Sequence, residues 1–478
     1  MKRDIDLRGP SRRDFIRGVL SASAALGLGP TRALEVLDQM GGSALASEGC
    51  SKVCRVVNLI GGNGGLAWFT LLWPAPRSIT EFRPSFSYDD PMRAVRVAGI
   101  PDGRQLFVRR YDMGRPPLWE NLGERKRVSC LMTGRNVGHE NAPVRDGNSN
   151  TLRGGVGGPV QIFAAAAATQ APLQALVPVI GIRFNNENMP YGRAPGAPPP
   201  QASVPSATEM IGLFSSAASR LADRLGNVRN QRLFDQYYKA FLSLAKTADR
   251  ATYQRAYADS RVAVQLVAQN LGSRLAVDQA KLQAWCGPAI VDDKVVAMAE
   301  ALMVTANAFK LGLTAQVTFP VFMDDPHPAF TDLTRTARIA DGTARVLQAF
   351  LDELSMEKEP TCPSRSLADN LVITISGDLP KNPFIRDNWP DSTPGAANWI
   401  YVMSNGYIKP GWHGDVTPNS KTLFDPRTGA LDPAQPEENA TNAALAAVLY
   451  AVVQGDDRRV RDFYAGDYQG LVRASLQG

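Results

Sequence analysis

Short apolar runs rich in β-branched residues recur along this chain, and segments with apolar positions every three or four residues lie between them. That alternation predicts strands of a buried sheet joined by helices. The strand candidates are Val53–Ile60, Arg127–Met132, Ala175–Phe184, Ala315–Phe322, Leu371–Ser376 and Trp399–Ser404. Their near-continuous apolar content, without strict alternation, is expected of parallel strands covered on both faces. Helical periodicity predicts Gln161–Gln170, Val295–Lys310, Phe330–Glu357 and Thr441–Val453. Leu213, Ala217, Leu221 and Leu225 recur at four-residue spacing, and Leu233, Tyr237, Phe241 and Leu244 continue in that style. They predict a helical insertion over about residues 207–285. Residues 76–126 and the Pro/Gly-dense Asn185–Pro205 read as irregular excursions, and Asp462–Gly478 as a polar tail. The fold class is therefore α/β.

In open parallel sheets ligands collect at the C-terminal ends of strands, so the residues that follow each strand carry the candidate chemistry. After Leu371–Ser376 come Gly377-Asp378 and a long polar stretch with Asp387, Asn388, Asp391, Asn398 and His413. All of these can bind a metal through oxygen or imidazole nitrogen, and long loops in compact domains are usually functional or disordered. Ordinary Asx-turn chemistry is the alternative. After Ala315–Phe322 comes Met323-Asp324-Asp325-Pro326-His327. Grouped carboxylates with an imidazole suit a hard cation and ester hydrolysis by metal-activated water; helix capping by Asp324 or Asp325 is the alternative. After Arg127–Met132 a polar loop runs from Thr133 to Asn141 and carries His139.

After Val53–Ile60 comes Gly61-Gly62-Asn63-Gly64-Gly65. Gly62-x-Gly64-x-x-Ala67 has dinucleotide-fingerprint spacing, but that motif must open a helix, and Pro74 stops one soon after. A nicotinamide site would require a helix starting at Gly64, and this reading ranks last. The glycines equally permit close approach of a substrate to the backbone, with Asn63 as a polar contact.

Composition narrows the choices. The chain has 478 residues, 44% hydrophobic and 21% charged, with formal net charge +6. That charge is too mild, and too little interleaved with aromatics, for a nucleic-acid partner. No apolar run reaches the 18 residues a membrane-spanning helix needs. Five cysteines exclude complete intramolecular pairing, and their spacing fits no zinc motif. Cys130, Cys286 and Cys362 are expected as small buried apolar residues. At the N-terminus, Ser11-Arg12-Arg13-Asp14-Phe15-Ile16, the apolar Gly18–Leu28 and Ala44-Leu45-Ala46 follow one another as twin-arginine motif, apolar core and cleavage site. Residues 1–46 are thus expected to be a signal peptide, residues 47–478 the mature domain, and the location periplasmic or extracellular.

Several of these pieces together resemble the domain-of-unknown-function 1501 family, within the alkaline phosphatase/sulfatase-like superfamily. They are Arg12-Arg13, the strand before Gly61-Gly62, Gly138-His139 and Asp325-Pro326-His327, where the family has Asp-Thr-His. Ser376-Gly377, Asn398-Trp399, the glycines before His413 and the helix at 441–453 follow in order. The resemblance implies a three-layer α/β/α sandwich of alkaline phosphatase-like type with a helical insertion. It also implies metal-assisted hydrolysis of a phosphate or sulfate ester, the substrate being a small molecule or glycan. In that reading Asp325, His327 and Asp378 hold a divalent ion (Zn, Ca or Mg). His139 or His413 contacts the ester oxygens, and Thr133 stands as nucleophile. The chain departs from the family at Gly64, where an Asp is common, at Asp378-Leu379-Pro380, where Glu-Phe-Gly is common, and at Asn398, where a His is common. These departures support a second reading: a catalytically degenerate member that binds a protein partner or glycan.

Overall fold

The computed structural model describes residues 54–61, 64–73, 75, 77, 86–88, 95–97, 128–135, 179–182, 201–212, 271–323, 325–359, 362–377, 380–385, 388–461 and 463–473. The chain divides into two units, Met1–Ser51 with Pro360–Pro363, and all the rest. In the first unit Cys362 is buried, as expected, but it is disulfide-bonded and not simply a small apolar residue. The signal segment, the helix expected at Gln161–Gln170 and most of the helical insertion lie outside the described residues.

The second unit is built on an eight-stranded sheet. In chain order its strands are β1 (Arg55–Gly61), β2 (Val128–Arg135), β3 (Val179–Ile182), β4 (Gln201–Val204), β5 (Gln316–Val321), β6 (Leu371–Gly377), β7 (Ala397–Met403) and β8 (Gly411–His413). Across the sheet they run β8-β2-β7-β6-β1-β5-β3-β4. Neighbours are parallel except at β7, which is antiparallel to both β6 and β2. The six expected strands are present with ends shifted by a few residues. β4 and the edge strand β8 were not expected. Both are too short and mixed in composition to show periodicity.

Every residue of β1, β6 and β7 is buried. Both faces of the sheet centre are therefore covered, which is why these runs are apolar throughout rather than alternating. The helices around it include α1 (Leu66–Thr70), α2 (Gln279–Cys286), α3 (Asp293–Lys310), α4 (Leu333–Met356) and α5 (Glu437–Val452); α1, α3 and α5 lie against strands of the sheet, and α2 and α4 against α3. α3 packs on β5 and on α4, and α5 packs on β2. Asp278, Asp292 and Asp332 cap α2, α3 and α4, each accepting a backbone N–H of the first turn. α5 is alanine-rich and buried from Ala440 to Val452, so it lies close against the sheet.

One polar line crosses this apolar centre. Asn58 on β1 donates to Thr318 Oγ1 on β5 at 3.1 Å and accepts from Thr374 Oγ1 on β6 at 2.6 Å. The three residues sit side by side in register, so each satisfies the next. The expected polar tail is partly core: Tyr468 and Leu471 are buried, and Val472 bridges to Ile408.

Candidate functional site

Three adjacent parallel strands, β6, β1 and β5, end side by side, and the residues beyond them meet. β5 finishes at Val321. Phe322 then takes a left-handed backbone (φ 50°), uncommon for a bulky residue. Its buried ring rests 6.1 Å from the Trp68 ring and 5.6 Å from the Phe69 ring of α1. This packing holds the turn that carries Asp325, Pro326 and His327 over the strand end.

Asp325 Oδ1 accepts the His327 backbone N–H at 3.0 Å and also contacts His327 Nδ1. Partial burial works to raise the Asp325 pKa. The hydrogen bonds from His327 and the charges of His327 and Lys381 outweigh it and hold the carboxyl below its ordinary value.

Beyond β6, Pro380 leads to Lys381, whose φ is 35° and whose side chain is wholly buried. The ammonium pairs with Asp391 and lies 3.0 and 3.2 Å from the two ring nitrogens of His327. Asp325 Oδ1 is 3.7 Å away. A lysine is almost never fully buried unless paired, and here two carboxylates and an imidazole surround it. Asp391, His327 and Asp325 keep contact with solvent; the ammonium lies beneath them.

Asn382 sets the shape of this loop. Its N–H donates to Pro390 O at 2.7 Å and its Nδ2 to Ser392 O at 3.0 Å. Its Oδ1 accepts Phe384 N–H at 2.9 Å, and its carbonyl accepts Trp389 Nε1–H at 3.1 Å. Trp389 is buried edge-to-face on Phe330, 4.9 Å between centroids. The loop end bearing Asp391 is thereby fixed opposite Lys381.

Beyond β1, Gly64 has φ +86°, and a Cβ there would lie 2.8 Å from Lys381 Cε and 2.9 Å from Pro326 Cδ. The glycine makes room for the lysine stem. A helix does open after these glycines, but at Leu66, and it ends at Thr70. Its first amides are already bonded, Ala67 N–H to Gly64 O at 2.9 Å and Trp68 N–H to Gly65 O at 3.3 Å. A dinucleotide site needs such amides for phosphate. The nicotinamide reading therefore gains no support from this helix.

Asp325 and His327 thus stand together. Asp378 and His139 lie outside the described residues, as do Asn63, Asp324 and Asp387. Thr133 is buried on β2 opposite Asn398 of β7. His413 is buried on β8 beside Leu131 of β2. With strands about 4.8 Å apart, β2 and β8 stand roughly 19 and 24 Å from β5. Thr133 and His413 are therefore not brought to Asp325 and His327.

The His413 Nε2–H donates to Lys409 O at 2.9 Å. Burial lowers the pKa of this imidazole; Lys409's charge acts in the same direction, and its carbonyl opposes. His413 is thus held neutral and structural. Asn398, expected in the long loop, is instead inside β7. Its Nδ2 donates to Gly377 O at 3.1 Å and its Oδ1 accepts the Trp399 N–H at 2.7 Å. Both ends of the amide tie the close of β6 to the start of β7.

Among the described residues, no three His, Cys, Asp or Glu side chains are grouped as a metal would need. The donors that come nearest to such a group, Asp325, His327 and Asp391, already converge on a cation, the Lys381 ammonium. With Lys381 in place they do not fit a divalent ion, because a second positive charge would have to share the same oxygens. Lys381 is the member of the cluster that reading the sequence missed. The available signal was a lysine between Pro380 and Pro383, just past a core strand and ten residues before a carboxylate.

Comparison with known protein families, with characterised proteins and with solved structures finds no match to this chain.

Proposed function

We propose that this chain is an exported protein of the alkaline phosphatase-like fold, a divergent relative of the domain-of-unknown-function 1501 family, that works by binding and not by hydrolysis. Its place is the periplasm or cell surface, and its partner is a protein or a glycan. The carrying observation is the Lys381 ammonium paired with Asp391 beside Asp325 and His327. An ester hydrolase of the resembled type leaves its acidic and imidazole groups open to a metal and a substrate oxygen. Here an ammonium of the chain itself already stands among them. Asn398 and His413 point the same way, since both are engaged with backbone.

The test is turnover of p-nitrophenyl phosphate and p-nitrophenyl sulfate by the whole protein, purified without chelator and supplied with zinc, magnesium or calcium. The expected rate equals that of buffer with the same ion. A rate above buffer that disappears in His327→Ala would overturn the reading.

That outcome would favour a second reading, metal-assisted ester hydrolysis. One observation supports it: the Asp325–His327 contact at a strand end is how a carboxylate orients a working imidazole. Export is tested separately. Residues 1–46 fused to a folded reporter should deliver it to the periplasm, and Arg12→Lys with Arg13→Lys should abolish delivery.

A further inference from the structure

We infer that Cys50 and Cys362 form a disulfide that closes only after export, as a covalent latch between the chain that follows the signal segment and the chain that leads into β6. The pairing rests on the cysteines themselves; its timing rests on the export reading above.

The count fixes the partner. The chain has five cysteines. Cys362 is disulfide-bonded, while Cys54, Cys130 and Cys286 keep their thiols and are buried. Cys50 is the fifth. It lies outside the described residues, so it is assigned by elimination.

An ion pair makes the bond reachable. Arg55 stands five residues after Cys50, and Glu359 three residues before Cys362. These two meet in a buried bidentate pair. Five residues of extended chain span at most about 17 Å, and three about 10 Å. The Cα atoms of a disulfide stand roughly 4.4–6.8 Å apart. The ion pair therefore brings the two segments near enough for their sulfurs to meet. The division of the chain agrees: Met1–Ser51 and Pro360–Pro363, distant in sequence, form one unit. Cys54 is nearer to Arg55 in sequence, but its buried S–H is turned to Arg55 O at 3.7 Å.

Disulfides persist in oxidising compartments and are rare in the cytosol. A chain exported after folding thus crosses with both thiols reduced. Outside, one of its thiolates attacks the disulfide of a thiol oxidant, and the second then displaces the oxidant's sulfur. One S–S bond forms in the chain and one is lost from the oxidant. The chain gives up two electrons and two protons, which the oxidant takes as a pair of thiols.

The experiment maps the bond in the full chain. Periplasmic protein is blocked with N-ethylmaleimide at lysis, denatured and cut with trypsin without reductant. The peptide that carries Cys50 and ends at Lys52 should be joined to Glu359–Arg365, and the two should separate on reduction. The Cys54→Ser variant should give the same joined pair. The chain retained in the cytosol by Arg12→Lys with Arg13→Lys should have all five cysteines blocked singly. Exposing that retained chain, purified and reduced, to glutathione disulfide should then produce the Cys50–Cys362 pair.

Cys362 joined to any other cysteine, or blocked as a thiol after glutathione disulfide, would overturn the pairing, as would a lipid thioether on Cys50. A joined pair already present in the retained chain would overturn the timing. Absence of the wild type from the periplasm would strike the export reading and the timing with it, while the glutathione arm decides the pairing separately. Peptide masses are read from denatured protein, so no arm depends on a variant that folds.

Discussion

Gly64 and Lys381 are tied by space: the hydrogen on the one occupies the direction in which a methyl group would press on the other's Cε at 2.8 Å. The chain reaches this contact from strands β1 and β6, more than 300 residues apart in sequence. Gly64→Ala is expected to destabilise the protein by about 1–3 kcal/mol, from the left-handed backbone and the displaced lysine stem together. Urea denaturation monitored by tryptophan fluorescence measures it. A change within a few tenths of a kcal/mol would mean that the lysine moves aside freely.

The buried Arg55–Glu359 pair gives a second expectation. The guanidinium spans both carboxylate oxygens, one through Nη2 at 3.1 Å and the other through Nη1. Both side chains are buried. Arg55→Met takes the guanidinium away from a buried carboxylate and should cost roughly 3–5 kcal/mol. Arg55→Met with Glu359→Leu should recover most of that, because neither charge then needs solvation. A double-mutant cycle in urea tests this; a double variant as unstable as the single one would count against it.

Asn58 is the centre of the polar line across the sheet. Asn58→Leu removes the partner of both Thr318 and Thr374 and inserts a branched apolar side chain between them. A loss of about 2–4 kcal/mol is expected, from two buried hydroxyls left without that partner and from local overpacking. Restoring complementarity with Thr318→Val and Thr374→Val in the same chain should return part of it. Thermal unfolding of the single and triple variants decides.

His413 sets a pH dependence. Burial lowers its pKa in the folded protein below the unfolded value, which is about 6.5. Between those two values the unfolded chain binds a proton that the folded one does not, so stability rises with pH there. The contribution is fully present above about pH 6.5 and is lost as pH falls through the folded pKa. His413→Gln keeps an N–H for the Lys409 carbonyl and removes the titration. Its stability between pH 7.5 and pH 5.5 should fall less steeply than the wild type's. Parallel slopes in urea titrations at the two pH values would rule the imidazole out as the cause.

Asp325 acts in the same sense at lower pH. Its carboxyl is held below the ordinary value, so its contribution is present above about pH 3.9 and is lost as pH falls through the folded pKa. Asp325→Asn should therefore flatten the acid limb of the stability profile, modestly, because the carboxylate is largely solvent-exposed. Circular dichroism during acid titration reads it; an unchanged acid limb would show that His327 does not feel the charge.

Six of the sheet's strands and the long helices after residue 290 were legible in the sequence because burial on two faces demands unbroken apolar runs, and one-sided burial demands the 3.6-residue period. Leu371–Ser376 and Val295–Lys310 satisfied those demands and formed where they were expected, as Leu371–Gly377 and Asp293–Lys310. The carboxylate–imidazole group after β5 was visible for a local reason: Asp325 and His327 are two residues apart and bond to each other.

What surrounds that group was decided only by the fold. Lys381, Asp391 and Gly64 come to it from other loops, and the prolines beside Lys381 mark a loop past a strand end without showing that the lysine is buried there. Thr133 and His413 looked equally suitable as single residues, yet the order of strands sets them several spacings away. Which side chains share an edge follows from the lateral order β6-β1-β5. That order depends on long-range pairing, which hydropathy along one chain does not encode, and it is what places an ammonium among the acids.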